Sequence, residues 1–357
     1  MMGDATHPWK SMLSLHEGTL PPPPPSTLDA IMAILFASVT ISVCLWLLFV
    51  SVGWLTTPNV TPSRVWLVYP ITQFYFHLAA RGMGPLLGAE MIYASELPSS
   101  DRVALGIFSA LLAQASVFIF FCKIGPSAAR VHVMHPPAAI YLLAWSYYAH
   151  KAVATVPVVP ADVFGLQFYP LHLVLWMCST AAQCVLWKQI EHIQTVGGPH
   201  TAFSLPAKPI LLSALMLWCG LLGSLDYRHG LSASVVTTLN VALNVASFAC
   251  FYALLITSTR PLKSAADYYR RYIAQVPHGA KGSKASSLSI QAAETLQRHF
   301  RWARTYVWLS WHGFPFIWVL GACGLISAEH RELLYVCCDL AAKFLPVSIY
   351  LSLLALP

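Results

Sequence analysis

Leu333-Leu334-Tyr335-Val336-Cys337-Cys338-Asp339-Leu340-Ala341-Ala342-Lys343-Phe344 opens an apolar run that continues to Leu356. It sets an acid and a lysine one helical turn apart, on one face, in the middle of a stretch long enough to cross a bilayer. Ionisable side chains at that depth are costly, so they are functional candidates and natural partners for each other. A structural ion pair would explain one acid and one base, but not what surrounds them. The preceding apolar run supplies Trp311-His312-Gly313-Phe314-Pro315-Phe316-Ile317-Trp318, with Trp311, Phe314 and Trp318 on adjacent turns around a proline. Aromatics in a membrane helix are usually simple packing; a proline-interrupted aromatic ladder beside a buried lysine is much less common. A desolvated lysine amine is the residue type that forms Schiff bases with carbonyl compounds.

The rest of the chain agrees with a membrane location. Of its 357 residues 57% are hydrophobic and only 10% charged, where a soluble domain carries about a quarter charged. The apolar residues come in long runs without two-residue alternation, so the spans are helices and not strands of a barrel. The formal charge of +7 is therefore read loop by loop and not as a nucleic-acid surface. Most of the nine cysteines sit inside apolar runs, and adjacent Cys337 and Cys338 have no second Cys or His pair at ligand spacing, so no metal is expected.

Residues 1–27 read as a polar tail ending in the proline run Pro21 to Pro25, which is incompatible with a helix. Residues 28–100 read as an extra transmembrane helix, Leu28 to Leu55, and a linker. Within that linker residues 65–95, interrupted by Arg81, Gly82, Gly84 and Pro85, read as an interfacial or re-entrant element, with a ninth span as the alternative. Residues 101–357 read as seven helices: Val103 to Phe121, Pro137 to Val156, Leu166 to Trp187, Pro209 to Leu225, Ser232 to Thr257, Thr305 to Leu325 and Leu333 to Leu356. The expected fold is an all-α integral membrane protein, a seven-helix bundle preceded by at least one extra transmembrane helix.

Alternate loops divide by charge. One set carries Lys123, Arg130, Lys188, Lys208 and the basic stretch from Arg260 to Arg304; the other carries only Arg228 and Arg331. The positive-inside rule makes the first set cytosolic, so the seven helices start outside and end inside. The tail is then cytosolic and the linker extracellular, where Asn59-Val60-Thr61 would be a usable glycosylation sequon. The long basic loop, residues 260–304, reads as cytosolic extensions of its two neighbouring helices, joined by a flexible link around Pro277 to Ser287. Its cations suit either anionic lipid headgroups or a cytosolic output domain.

The Asp-x-x-x-Lys of the final helix and the Trp-x-x-Phe-Pro-x-x-Trp before it resemble the retinal-binding signature of microbial (type I) rhodopsins. The resemblance covers residues 101–357. It implies all-trans-retinal on Lys343, with Asp339 as counterion. It also implies a pocket of Trp176, Thr180, Met216, Gly220, Trp311, Phe314, Pro315 and Trp318, and a Tyr148 bonded to the last-helix aspartate. Animal visual opsins match poorly, since no Asp-Arg-Tyr or Asn-Pro-x-x-Tyr motif occurs.

Departures from the family bear on function. Leu175 stands where the family's third helix carries its acceptor carboxylate, and His172 where it carries an arginine. An internal proton donor would fall near Leu186, the expected third helix holds no carboxylate, and Phe314 lacks the hydroxyl common at its position. Outward proton pumping is not expected on this pattern, and Asp339 is the sole nearby carboxylate. The extra helix resembles enzyme rhodopsins, in which an eight-helix photosensory unit is fused to a cyclase, phosphodiesterase or kinase. No catalytic domain and no catalytic residues lie in this chain, which stops at Pro357, about where such a domain's linker would begin. The expectation is a light sensor passing a conformational change to a fused or associated cytosolic enzyme domain. It would be a homodimer or larger oligomer, surrounded by membrane lipid, in the plasma membrane of a eukaryotic microbe. A light-gated ion channel is the alternative, because some anion channels of the family also lack the third-helix carboxylate.

Overall fold

The computed structural model describes residues 90–92, 106, 135–153, 156–158, 169–196, 206–224, 232–275 and 284–355. The polar tail, the extra helix at Leu28 to Leu55, the sequon and nearly all of the element expected over residues 65–95 lie outside these. So does the first of the seven expected helices, apart from helical Gly106.

The described elements are β1 (Glu90–Ile92), α1 (His135–Val153), β2 (Val156–Val158), α2 (Pro170–Val196), α3 (Ala207–Ser224), α4 (Ala233–Gln275), α5 (Lys284–Ala322) and α6 (Ala328–Ala355). Consecutive helices pack as neighbours, α2 also meets α4, and α6 returns against α1. The bundle thus closes around a common interior.

Local chemistry sets the boundaries that the sequence reading misplaced. α1 ends at Val153, not at Val156, because Val156 precedes Pro157 and is pushed into extended backbone. Residues 156–158 instead pair antiparallel with Glu90–Ile92, Met91 opposite Pro157, a ribbon absent from the all-helical expectation. α2 starts at Pro170, where a proline's missing N–H costs nothing. It continues past Trp187 to Val196 before Gly197-Gly198, so it does hold a carboxylate, Glu191, paired with Lys188 at 2.7 Å. α5 stops at Ala322 rather than Leu325 in a Schellman turn. There Gly324 takes φ 68, its N–H reaches the Gly321 carbonyl and the Leu325 N–H reaches Leu320, both at 2.9 Å. α6 begins five residues before Leu333, capped by Ser327, whose Oγ accepts the His330 N–H at 3.2 Å. Arg331, expected in a loop, is therefore helical and only 2% exposed.

Two faces identify the surroundings. α3 and α4 are long and apolar enough to cross a membrane, and only about a fifth of each apolar stretch is fully buried in the bundle. Leu211, Val245, Ile256 and Phe316 are each more than half exposed. Such outward apolar surface is stable in lipid and not in water. The interior carries the charged groups instead.

α4 and α5 run beyond the expected spans as one antiparallel pair. Leu255, Ser258, Leu262 and Ala265 are buried on α4, and Ala293, Leu296, Phe300, Ala303 and Val307 on α5, a three-four spacing that makes a coiled-coil seam. Tyr269 stacks on Phe300 with ring centroids 6.0 Å apart. The Trp308 indole donates to Thr259 Oγ1 at 3.1 Å. Residues 284–287, expected within the flexible link, belong to α5. Phe300→Ala should empty the seam's largest wholly buried side chain and cost about 3 kcal/mol, measured as a fall in unfolding midpoint in detergent.

Candidate functional site

α6 builds the site from a stripe at three- and four-residue spacing: Glu332, Tyr335, Asp339, Ala342 and Lys343. Asp339 and Lys343 pair directly, 1% and 2% exposed. Tyr148 of α1 donates to Asp339 Oδ2 at 2.7 Å, and His172 of α2 places Nε2 3.9 Å from the same oxygen. Three helices therefore converge on one carboxylate.

The lysine opens into a cavity of about 210 Å³. Trp176, Thr180, Met216, Gly220, Trp311, Phe314, Pro315 and Trp318 line it, as do His172, Asp339 and Lys343. Leu175 is fully buried but does not line it, and Tyr148 stands behind Asp339 rather than on the wall. Trp176 meets Phe314 edge-on at 4.8 Å and Tyr335 at 5.2 Å, giving an aromatic wall shared by α2, α5 and α6. A Cβ on Gly220 would lie 3.2 Å from Ser247 Oγ, which bonds the Met216 carbonyl at 2.7 Å. Gly220 thus serves α3–α4 contact as well as the cavity. Gly313 has a tighter contact: a Cβ there would come within 2.4 Å of Cys338 Sγ, so a larger residue would require the Cys338 side chain to turn away.

Several residues of the site were not singled out from sequence. Gln183 of α2 lines the cavity and donates from Nε2 to the Ala342 carbonyl at 2.8 Å. That carbonyl has no helical donor, because Pro346 four residues on lacks an N–H. The side chain on α2 thus replaces a missing helix bond beside Lys343. Tyr306 of α5 donates to the neighbouring Ala341 carbonyl at 3.2 Å. Further out, Lys151 of α1 pairs with Glu332 at 3.0 Å, both buried, and lies 3.5 Å from the Tyr169 ring centroid. A second buried carboxylate, Glu332, thus lines the cavity two turns before Asp339, while Asp339 is the acid paired with Lys343. Helical spacing from Asp339 back to Tyr335 and Glu332 was the signal for this second acid. Its partner Lys151 is remote in sequence and carried none.

His172 Nε2 and Trp176 Nε1 are buried without a hydrogen-bond partner among the described residues, and both residues line the cavity. An amine paired with an acid, an apolar aromatic wall and two spare nitrogens suit a long apolar ligand with one polar end.

No protein-family model matches the chain, and no curated protein does. Among solved structures, the transmembrane domain of Salpingoeca rosetta rhodopsin phosphodiesterase is 13% identical, with 89% of this chain and 97% of that one covered, at a TM-score of 0.48. The light-driven proton pump rhodopsin of Coccomyxa subellipsoidea is 18% identical, with 72% of this chain and 98% of that one covered, at a TM-score of 0.51. The latter likeness shows a shared fold.

Gln183→Leu should leave the Ala342 carbonyl buried and unsatisfied and cost about 1–3 kcal/mol. Thermal unfolding should report that loss, with faster amide exchange confined to α6 around Lys343.

Proposed function

We propose that this chain, which has the type I rhodopsin fold, is a retinal-binding light sensor with the chromophore held covalently on Lys343. The buried Lys343–Asp339 pair opening on an aromatic cavity carries the reading. The residues present suit the group. The amine lies inside the membrane where an aldehyde can meet it with loss of water, and Trp176, Trp311, Phe314 and Trp318 offer flat apolar walls to a polyene. Met216 and Gly220 leave room for a bulkier terminus on the α3 side. Bound all-trans-retinal would supply light absorption and isomerisation.

The chain's own residues do the rest. Asp339 is the anion beside the Lys343 nitrogen, and Tyr148 orients it. Leu175 and Leu186, both buried and apolar, leave the two usual proton-relay positions without a proton-carrying group, which favours sensing over outward pumping. The helical pair α4–α5, with its sealed seam, is the route by which a displacement at Trp311, Phe314 and Trp318 reaches the cytosolic side. A cytosolic enzyme domain, fused or associated, and a homodimer or larger oligomer in a plasma membrane complete the proposal.

Lys343→Ala protein mixed with all-trans-retinal should show no visible absorption band; a persistent band rejects the attachment site. Asp339→Asn removes the anion touching the nitrogen, and a cation buried without its counter-charge sheds its proton. The band should then move to the near ultraviolet at neutral pH.

Sensor and transporter differ in a second measurement. Voltage-clamped cells should show negligible photocurrent, while hydrogen exchange across residues 262–300 changes with light. Robust photocurrent with a defined reversal potential would favour the channel, and a stationary outward current the pump.

A further inference from the structure

Leu175 removes the carboxylate that would take a proton from the lysine nitrogen, yet the structure puts another base on the opposite side of Asp339. His172 is 4% exposed, and its Nε2 faces Asp339 Oδ2 at 3.9 Å with no hydrogen-bond partner. Leaving a buried ring nitrogen unbonded is expensive. One water, or a small ring rotation, closes that gap. The ring itself is well placed: Tyr147 stacks on it at 5.0 Å, Trp176 tilts against it at 4.3 Å, and Tyr148 and Tyr335 present edges at 6.3 and 6.2 Å. Asp339 stands between two bases. Its Oδ1 meets Lys343 Nζ, and its Oδ2 faces His172.

We propose that His172 accepts the proton that the Lys343 nitrogen gives up after light absorption, with Asp339 remaining an anion between them. This rests on the reading that Lys343 holds retinal. The step balances simply: the N–H bond on the lysine nitrogen breaks, its electron pair stays on that nitrogen, and the proton bonds to the lone pair of His172 Nε2. One positive charge moves across Asp339, and nothing is oxidised or reduced.

The surrounding charges favour this direction. The groups around His172 are Tyr147, Tyr148 and Lys151 from α1, Trp176 from α2, and Glu332, Tyr335 and Asp339 from α6, with Arg331 one residue before Glu332 and Lys343 on the other oxygen of Asp339. In the dark Glu332 is matched by Lys151 and Asp339 by the Lys343 cation, so a charged imidazole would be in excess. Once the Lys343 nitrogen is neutral, Asp339 has lost its cation and the imidazolium replaces it. Light thus inverts the preference of the ring without moving the carboxylate.

The experiment uses the whole chain with all-trans-retinal, wild type and His172→Asn, the protein carrying nitrogen-15 in its histidines. In wild type, a flash should give transient near-ultraviolet absorption. The trapped illuminated state should show one histidine passing from a ring with one N–H to a ring with two, a signal missing from His172→Asn. The substitution should slow the rise of near-ultraviolet absorption by about a hundredfold. Wild type without a visible band overturns the retinal reading itself. A visible pigment with no near-ultraviolet transient overturns the acceptor role alone, as does an equally fast rise in His172→Asn or a His172 ring that stays neutral in the trapped state. If His172→Asn forms no pigment, the wild-type histidine spectrum decides: a ring gaining its second N–H supports the role, and an unchanged ring rejects it.

Discussion

A carboxylate and an ammonium buried side by side are the constraint on which the rest of this bundle depends. Taking both ions out of water costs several kcal/mol each, and their attraction repays it only when further polar groups complete the shell. Asp339 and Lys343 lie on one helix at four-residue spacing, so their pairing needs no tertiary contact. Their shell does. Tyr148 comes from α1 and His172 from α2, and both helices must pack on α6 at one height for the acid to be served. The outer pair Lys151–Glu332 fixes that height independently, tying α1 to α6 about two turns away. Losing either partner of this second pair would strand a buried charge.

Against that polar corner, α3, α4 and α5 are joined by small residues and sparse polar bonds. Ser247 bonds the Met216 carbonyl, Asn244 the Gly223 carbonyl at 3.0 Å, and Trp308 of α5 bonds Thr259 of α4. Pro261 in α4 and Pro315 in α5 each remove one backbone bond from their helices. The bundle therefore divides into a side held by buried charges and a side held by close packing. The cavity lies between the two.

How much of this was legible in sequence followed how local the cause was. Asp339 and Lys343, Trp311, Phe314, Pro315 and Trp318 are each within one helix, so spacing alone grouped them, and the structure brings both groups to one cavity. Ends set by a single residue, such as Gly324 or Ser327, were open to reading but were overshadowed by hydropathy, which does not register caps. Contacts between distant segments left no trace in one sequence. Lys151 and Glu332 are 181 residues apart, and the donor for Ala342 comes from Gln183 because of a proline elsewhere. The helical extension of α4 through Pro261 was read from the sequence, but its packing partner was hidden for a related reason. A charged, proline-containing segment has no apolar period of membrane length, yet its seam of Leu262 and Ala265 against Phe300 and Ala303 needs only every third or fourth residue to be apolar.

That seam gives the basic stretch a physical meaning beyond its charge. Arg260, Lys263, Arg270, Arg298 and Arg301 lie on the exposed faces of two helices whose inner faces are already satisfied by each other. Such cations cost little to present and are free to meet an anionic surface. The inner faces transmit force because they are filled: Phe300 and Leu262 have no exposed area, and close-packed interiors deform little. Under the proposed sensor reading, a shift of α5 at Trp311 would be passed along the filled seam toward Gln275 and Lys284, carrying the arginines with it.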